Sequence, residues 1–177
     1  IDVIKNAIGQ ESESLAQLFA PGMRIALLIG ITLAVLQQVT GINVFLYYAP
    51  KIFKAIAGAQ TDVAMLQTVV VGAVNMGFTV VAIWTVDRLG RRPLMILGYF
   101  GMAISLAALG AASYLDRTEG WVLWFILSYI ACFALSVGPV TWVILSEIFP
   151  TKIRGRAMAI ATICLWVSNF VVSQTFP

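Results

Sequence analysis

Histidine is absent from this chain of 177 residues, and charged residues make up only 11% of it. Soluble domains carry roughly 25% charged residues, so a protein embedded in lipid is the leading class. Without histidine the commonest general base and metal ligand is missing, and no cysteine cluster or carboxylate pair replaces it. An enzyme is therefore poorly supported, and we expect neither a metal nor a cofactor.

Cysteine is also scarce, and the net charge is small. Cys132 and Cys164 both lie inside apolar stretches, which favours buried small side chains over a disulfide framework. The net charge is only +3, and the basic residues stand in small groups between apolar runs. Such groups are typical of loops that orient a membrane protein, so we expect no nucleic-acid partner.

Long uncharged runs are what the chain has in abundance, each with at least the ~20 residues that a helix needs to cross a bilayer. Barrel strands are half as long and alternate in polarity, so helices are the better interpretation. The sequence therefore predicts an all-α membrane protein with five transmembrane helices. The runs are residues 25–50, 63–86, 93–115, 120–146 and 157–177.

Loop charge orients these helices. The loops on one side carry six basic residues and those on the other carry three, so the positive-inside rule makes the richer side cytoplasmic. Residues 1–22 are then a cytoplasmic linker and residues 23–177 an incomplete transmembrane bundle. A capping box at residues 14–17 favours short linker helices, with a disordered linker as the alternative. Both chain ends resemble cuts through a longer protein.

Residues 37–50, QQVTGINVFLYYAP, place amides and tyrosines inside the first predicted span. On an ideal helix six of them share an arc of about 160°, whereas Gln38 points elsewhere. Amides in a span need a partner or a polar cavity, and their paired donor and acceptor match a sugar hydroxyl. The alternative is that they hydrogen-bond neighbouring helices to each other. The six are Gln37, Thr40, Gly41, Asn43, Tyr47 and Tyr48.

Gly41 and Pro50 divide this stretch further. Because Gly41 has no side chain and follows Thr40, we expect the helix to bend there, and we expect Pro50 to end it. The half-helix between them, with Tyr47 and Tyr48, is a candidate outer gate. Close packing against a neighbouring helix is the alternative interpretation of Gly41.

Polar or bulky residues interrupt the later spans as well. Asn75 places an amide at mid-membrane depth and is a candidate cavity residue. Pro139 cannot donate to the carbonyl of Leu135, so we expect it to kink its helix and to take part in gating. Trp142 can stack on a sugar ring and donate its N–H, with a packing role as the alternative. Asn169 is explained equally well by packing.

At two predicted cytoplasmic loops the charged residues have the opposite sign to the one that the helix dipole favours at that helix end. Asp87 ends the second span and Arg91 precedes the third, and the loop after the fourth span repeats the pattern. Ion pairs between neighbouring loops, stabilising one conformation, explain both acids, whereas a role in topology alone explains only the arginines. The residues of this predicted network are Asp87, Arg88, Arg91, Arg92, Glu147, Arg154 and Arg156.

These motifs together resemble the sugar porter family of the major facilitator superfamily, most of all its bacterial D-xylose/proton symporters. The matching segments are residues 37–50, DRLGRRP at 87–93, GPVTW at 138–142, SEIFP at 146–150 and RGR at 154–156. The resemblance implies a major facilitator C-terminal helical bundle, with helices 7–11 of an expected twelve present here.

Residue roles follow from the same resemblance. It implies that Tyr47 helps to close the outer side, and that Gln38 contacts sugar if the helix is distorted at Gly41. Leu165 departs from the family pattern, because many relatives have Gln or Asn before the tryptophan matching Trp166. The residues that the resemblance places against sugar are Gln37, Gln38, Asn43, Asn75 and Trp142.

We therefore expect transport of a monosaccharide, a pentose or a hexose, by alternating access and coupled to protons, across the inner (plasma) membrane. The implied partners are the sugar, protons, the lipid bilayer and the N-terminal six-helix half that this chain lacks. Coupling residues belong to that half, so a facilitative uniporter stays open. A facilitator for another neutral solute and a membrane sugar sensor stay open as well.

Overall fold

A computed structural model describes residue 18 and residues 22–57, 61–115 and 121–175. The predicted linker helices and their capping box lie outside these described residues, except for Leu18 and Gly22. Seven α-helices and one π-helical segment occupy the described ranges. They are α1 Met23–Val39, α2 Ile42–Ala57, α3 Thr61–Leu89, α4 Arg91–Tyr114, α5 Trp121–Cys132, the π segment Phe133–Val137, α6 Gly138–Ile148 and α7 Arg154–Thr175.

Five helical stretches are long and apolar enough to cross a membrane, and they confirm the five runs predicted from the sequence. The first stretch contains both α1 and α2, and the fourth contains α5, the π segment and α6. Two of the five spans are therefore interrupted, one at Gly41 and one before Pro139. The spans are Met23–Lys54, Asp62–Leu89, Arg91–Tyr114, Trp121–Ile148 and Arg154–Thr175.

The chain divides into two compact units, and both interrupted spans contribute to each. Of the described residues, the first unit comprises those up to Thr40 and Thr141–Thr175, and the second comprises those within Gly41–Val140. The chain leaves the first unit at Thr40 and returns to it at Thr141. The first crossing lies at the interruption before Gly41, whereas the second lies within the first turn of α6.

In the first unit α1 packs along α7. Gly30 on α1 lets Phe149, which follows α6, approach closely, because a methyl group at this position would lie 2.8 Å from Cζ of Phe149. Leu165 is only 3% exposed and belongs to the same apolar cluster, so the residue that departs from the family pattern contributes to packing. The cluster is Leu18, Leu27, Ala34, Leu145, Phe149, Ile153, Ala157, Ala161 and Leu165.

In the second unit α4 packs against α5 and the π segment through small residues. A methyl group added to Gly98 would overlap Oγ of Ser136, and one added to Gly101 would lie 2.6 Å from Sγ of Cys132. Ser105 continues the line one turn further along α4 and donates to the carbonyl of Gly101 at 2.8 Å. Small residues of this kind let membrane helices approach closely. We call this contact the α4 seam.

Pro50 does not end its helix, so that prediction is wrong. Pro50 lies in the interior of α2, which continues to Ala57. A proline in a helix interior removes one hydrogen bond and costs about 3 kcal/mol. Beyond it Ile52 and Phe53 are 7% and 0% exposed. Burying two such side chains contributes about 1.5–3 kcal/mol each, which offsets the cost and keeps the segment helical.

Candidate functional site

Gly41 separates α1 from α2, as the sequence indicated. Its φ angle is +81°, in the left-handed region that only glycine adopts readily. Thr40 ends α1 by donating its N–H to the carbonyl of Leu36 at 3.2 Å and its hydroxyl to that of Gln37 at 2.7 Å. Val44 then donates to the carbonyl of Gly41 at 3.0 Å and opens α2. The regular α-helical hydrogen bonding is therefore interrupted three residues after Gln38.

Gln37 and Gln38 occupy the end of α1 in the first unit. They are 3% and 6% exposed, so both amides are buried inside a membrane span. On an ideal helix Gln38 points away from the face that carries Gln37. In the structure both side chains are buried, so exposure does not distinguish the two residues. Buried amides must be satisfied by protein, water or a bound molecule. The pair is consequently the most strongly buried polar element among the predicted site residues.

Trp142 also belongs to the first unit, in the first turn and a half of α6. Its ring is 38% exposed and presents surface for contact, whereas the neighbouring Thr141 is 0% exposed. Asn169 on α7 is 7% exposed and accepts a hydrogen bond from Ser173 at 3.4 Å. Thr141 and Asn169 are buried polar residues that we did not assign to the site. In the sequence, each of them is distinguished only as a polar residue within an apolar run.

Asn43, Tyr47 and Tyr48 lie on α2 in the second unit. Asn43 is half-buried in the first turn after the break, and Tyr47 is 55% exposed. Tyr48 is half-buried, and Nζ of Lys51 lies 5.2 Å from the centre of its ring. A cation thus lies over the face of the Tyr48 ring, and Tyr47 is the more exposed of the two tyrosines.

Asn75 is half-buried near the middle of α3. On the helix it shares the face that carries Val71 and Ala82, which are 1% and 0% exposed. That face packs in the second unit, where α3 contacts α2 and the π segment. Thr79 donates to the backbone carbonyl of Asn75 at 2.7 Å and leaves the amide side chain to other partners.

A π segment directly precedes α6, at the position where the sequence predicts a kink caused by Pro139. Gly138 donates its N–H to the carbonyl of Phe133, five residues back, instead of the usual four. Because Pro139 has no N–H to donate, the helix widens by one residue in the preceding turn. Ser136 lies in this turn and donates to the carbonyl of Cys132 at 2.6 Å. The side chain of Ser136 also lies against Gly98 on α4, so the turn is part of the α4 seam.

Among the described residues of the charged loops, Asp87 forms an ion pair within its own loop. Arg91 Nη2 lies 3.7 Å from Asp87 Oδ1, across the turn at Gly90. The pairing of Asp87 with an arginine of a neighbouring loop stays a prediction. Gly90 has φ +84° and starts α4 at once, which keeps Asp87 close to its own loop's arginine. In the other loop Arg154 Nε donates to the carbonyl of Phe149 at 3.3 Å.

Solved structures resemble this arrangement closely. The superfamily proton:xylose symporter bound to 6-bromo-6-deoxy-D-glucose matches with a TM-score of 0.82 and 49% sequence identity, over 98% of this chain and 36% of that one. A crystal structure of a D-xylose-proton symporter matches with a TM-score of 0.81 and 48% identity, over 99% of this chain and 38% of that one. The fold is that of the major facilitator superfamily.

Sequence comparison identifies the family. The family model described as "Sugar (and other) transporter" matches residues 1–177, and the chain belongs to that family. It is 48% identical over 177 residues to the D-xylose-proton symporter of Escherichia coli K12, covering 100% of this chain and 36% of that protein. It is 44% identical over 169 residues to the arabinose-proton symporter of Bacillus subtilis, covering 95% and 36%.

A third relative transports by a different mode. The glucose facilitated diffusion protein of Zymomonas mobilis is 44% identical over 164 residues, covering 93% of this chain and 34% of that protein. The chain spans about a third of the length of these curated relatives.

Proposed function

We propose that this chain forms part of a transporter that carries a monosaccharide across the membrane by alternating access, coupled to protons. The observation that carries the proposal is the buried pair Gln37 and Gln38, immediately before the left-handed break at Gly41. Neutral amides inside a span suit an uncharged solute rich in hydroxyl groups. The sugars in the names of the relatives, xylose, arabinose and glucose, support the same class of substrate.

Each proposed contact has its own chemistry. The amides of Gln37, Gln38, Asn43 and Asn75 donate to and accept from sugar hydroxyls, while the Trp142 ring covers an apolar face of the sugar. Leu165 supplies no hydrogen bond, because its side chain is a hydrocarbon, and it packs in the apolar cluster of the first unit. Recognition therefore depends mainly on the remaining amides.

Gating is assigned to the two helix interruptions. Pivoting of α2 at Gly41 would move Tyr47 and Tyr48, and the turn before Pro139 would accommodate a second bend. Hinges of this kind use a few residues that absorb a large change in backbone angles. The predicted network of charged residues in the two cytoplasmic loops, which includes Asp87 and Arg156, would favour one conformation of the transport cycle over the other.

The wider setting is proposed on the same basis. The protein is a multi-pass protein of the inner (plasma) membrane, its N-terminal linker is cytoplasmic, and it works with a second helical half and without enzymatic activity. Facilitated diffusion is the second candidate, and the Zymomonas mobilis relative favours it. The two modes differ in whether a proton gradient drives accumulation.

Uptake measurements test both sugar binding and coupling. The full-length gene product is reconstituted in liposomes and given labelled D-xylose, L-arabinose or D-glucose, with and without a protonophore. A symporter loses accumulation when the gradient collapses, whereas a uniporter keeps its rate of equilibration. Absence of protein-dependent uptake of every sugar would contradict the proposal.

Substitution of the amides tests the site itself. Each lost hydrogen bond to sugar should weaken binding roughly 5- to 100-fold, because it leaves a buried partner unpaired at a cost of about 1–3 kcal/mol. We expect Gln37→Ala and Asn43→Ala to raise KM by this amount. Gln174→Ala, an exposed amide at the end of α7, is the matched control and should leave uptake unchanged. Unchanged KM in both site variants would remove these residues from the site.

A further inference from the structure

We propose that the arginine end of α3 carries a binding site for an anionic phospholipid. A groove of about 380 Å³ lies on this helix and joins apolar side chains to a hydroxyl and a guanidinium. Its lining residues are Val81, Trp84, Thr85, Arg88 and Leu89. The proposal concerns lipid binding and does not depend on which solute the protein transports.

The spacing of the lining residues forms one continuous stripe. Val81, Thr85 and Leu89 follow each other at intervals of four, and Trp84 and Arg88 do the same beside them. Trp84 is 69% exposed, Leu89 55% and Val81 45%. An indole at the end of a membrane span is typical of the interface between hydrocarbon and headgroups. The stripe therefore presents an apolar surface that ends at headgroup depth.

Arg88 supplies the charge that an anionic headgroup needs. Its side chain is exposed, and among the described residues no carboxylate lies within ion-pair distance of it. The adjacent Asp87 has Arg91 as its partner and points to a different side of the helix. A guanidinium binds phosphate through two parallel hydrogen bonds. This end of α3 is on the side predicted to be cytoplasmic, where anionic lipids collect.

A second groove extends the apolar surface along the helix. It has a volume of about 470 Å³ and shares Val81 with the first. Gly77 forms part of its floor, and nothing lies within 4 Å of the position that a Cβ would take there. From Arg88 to Val74 the helix rises about 21 Å, more than the ~15 Å of one leaflet's hydrocarbon. An acyl chain thus fits along the stripe, which favours a phospholipid over free phosphate.

Fluorescence quenching tests the site in the full-length gene product. The protein is reconstituted in vesicles of phosphatidylcholine mixed with brominated phosphatidylglycerol, or with brominated phosphatidylcholine in its place. The part of the quenching that Trp84→Phe removes reports on the groove. We expect phosphatidylglycerol to be preferred at Trp84 by roughly fivefold, the preference that one arginine near the surface contributes.

Paired charge variants separate this site from general attraction to the membrane. Arg88→Gln should abolish the preference, whereas Lys152→Gln, which removes an exposed charge from another loop, should keep it. Excess inorganic phosphate should leave the preference unchanged. Equal loss in both variants, relief by phosphate, or a Trp84 that no brominated lipid quenches would each overturn the proposal. The last outcome would show that other parts of the protein cover the groove.

Discussion

The two interrupted spans achieve their breaks by opposite means. At Gly41 the backbone adopts φ +81°, and nothing lies within 4 Å of the position that a Cβ would take. At the π segment the neighbours are crowded, because a methyl group on Gly138 would lie 3.1 Å from the ring of Phe133. Ser136 in the same turn fills the space that Gly98 leaves empty. The first break therefore depends on backbone conformation and the second on packing.

The largest effect is expected at the α4 seam. In Gly98→Ala the new methyl group overlaps Ser136, so the helices must separate, and the free energy of unfolding should fall by about 1–3 kcal/mol. Thermal unfolding of the full-length protein in detergent measures this as a lower Tm. Gly110→Ala on the same helix has open space around it and should be neutral or slightly stabilising. Equal losses in both variants would show that packing does not distinguish this seam.

Backbone strain is expected to give the next largest effect. Gly41→Ala should cost about 1–2 kcal/mol, because a side chain in the left-handed region strains the backbone. Gly41→Ser should cost about the same, since the surrounding space is open, and Gly41→Asn less, since asparagine tolerates this conformation. Tm values of the three variants measure it. A cost that rises steeply with side-chain size would mean that Gly41 is packed, and the contrast with the π segment would fail.

The smallest effect is expected at the turn between α3 and α4, at Gly90, which like Gly41 has a positive φ angle. Here the pair Asp87–Arg91 bridges the turn, but its carboxylate side chain is 78% exposed. Asp87→Asn should therefore change stability by less than about 1 kcal/mol, and the change should vanish at high salt. If the proposed charge network favours one conformation, the rate of sugar uptake changes more than Tm. A large loss of stability would instead make this pair structural.

Sequence patterns predicted the features that depend on a single residue or on long runs. The five spans follow from uncharged runs, and the break at Gly41 follows from a residue that lacks a Cβ. Pro50 shows the limit of this reasoning, because the burial of Ile52 and Phe53 beyond it outweighs the loss of one hydrogen bond.

The sequence alone determined that the chain is helical, membrane-spanning and rich in neutral amides, since hydrocarbon excludes charge and requires every backbone group to be bonded within the helix. Tertiary structure decided how each irregularity is accommodated. The missing N–H of Pro139 is compatible with several distortions, and the close contact of Gly98 with Ser136 accompanies the π turn that is found. Whether an amide is buried, as Gln37 and Gln38 are, likewise depends on neighbours distant in sequence. Local chemistry limits the possibilities, and packing between helices selects among them.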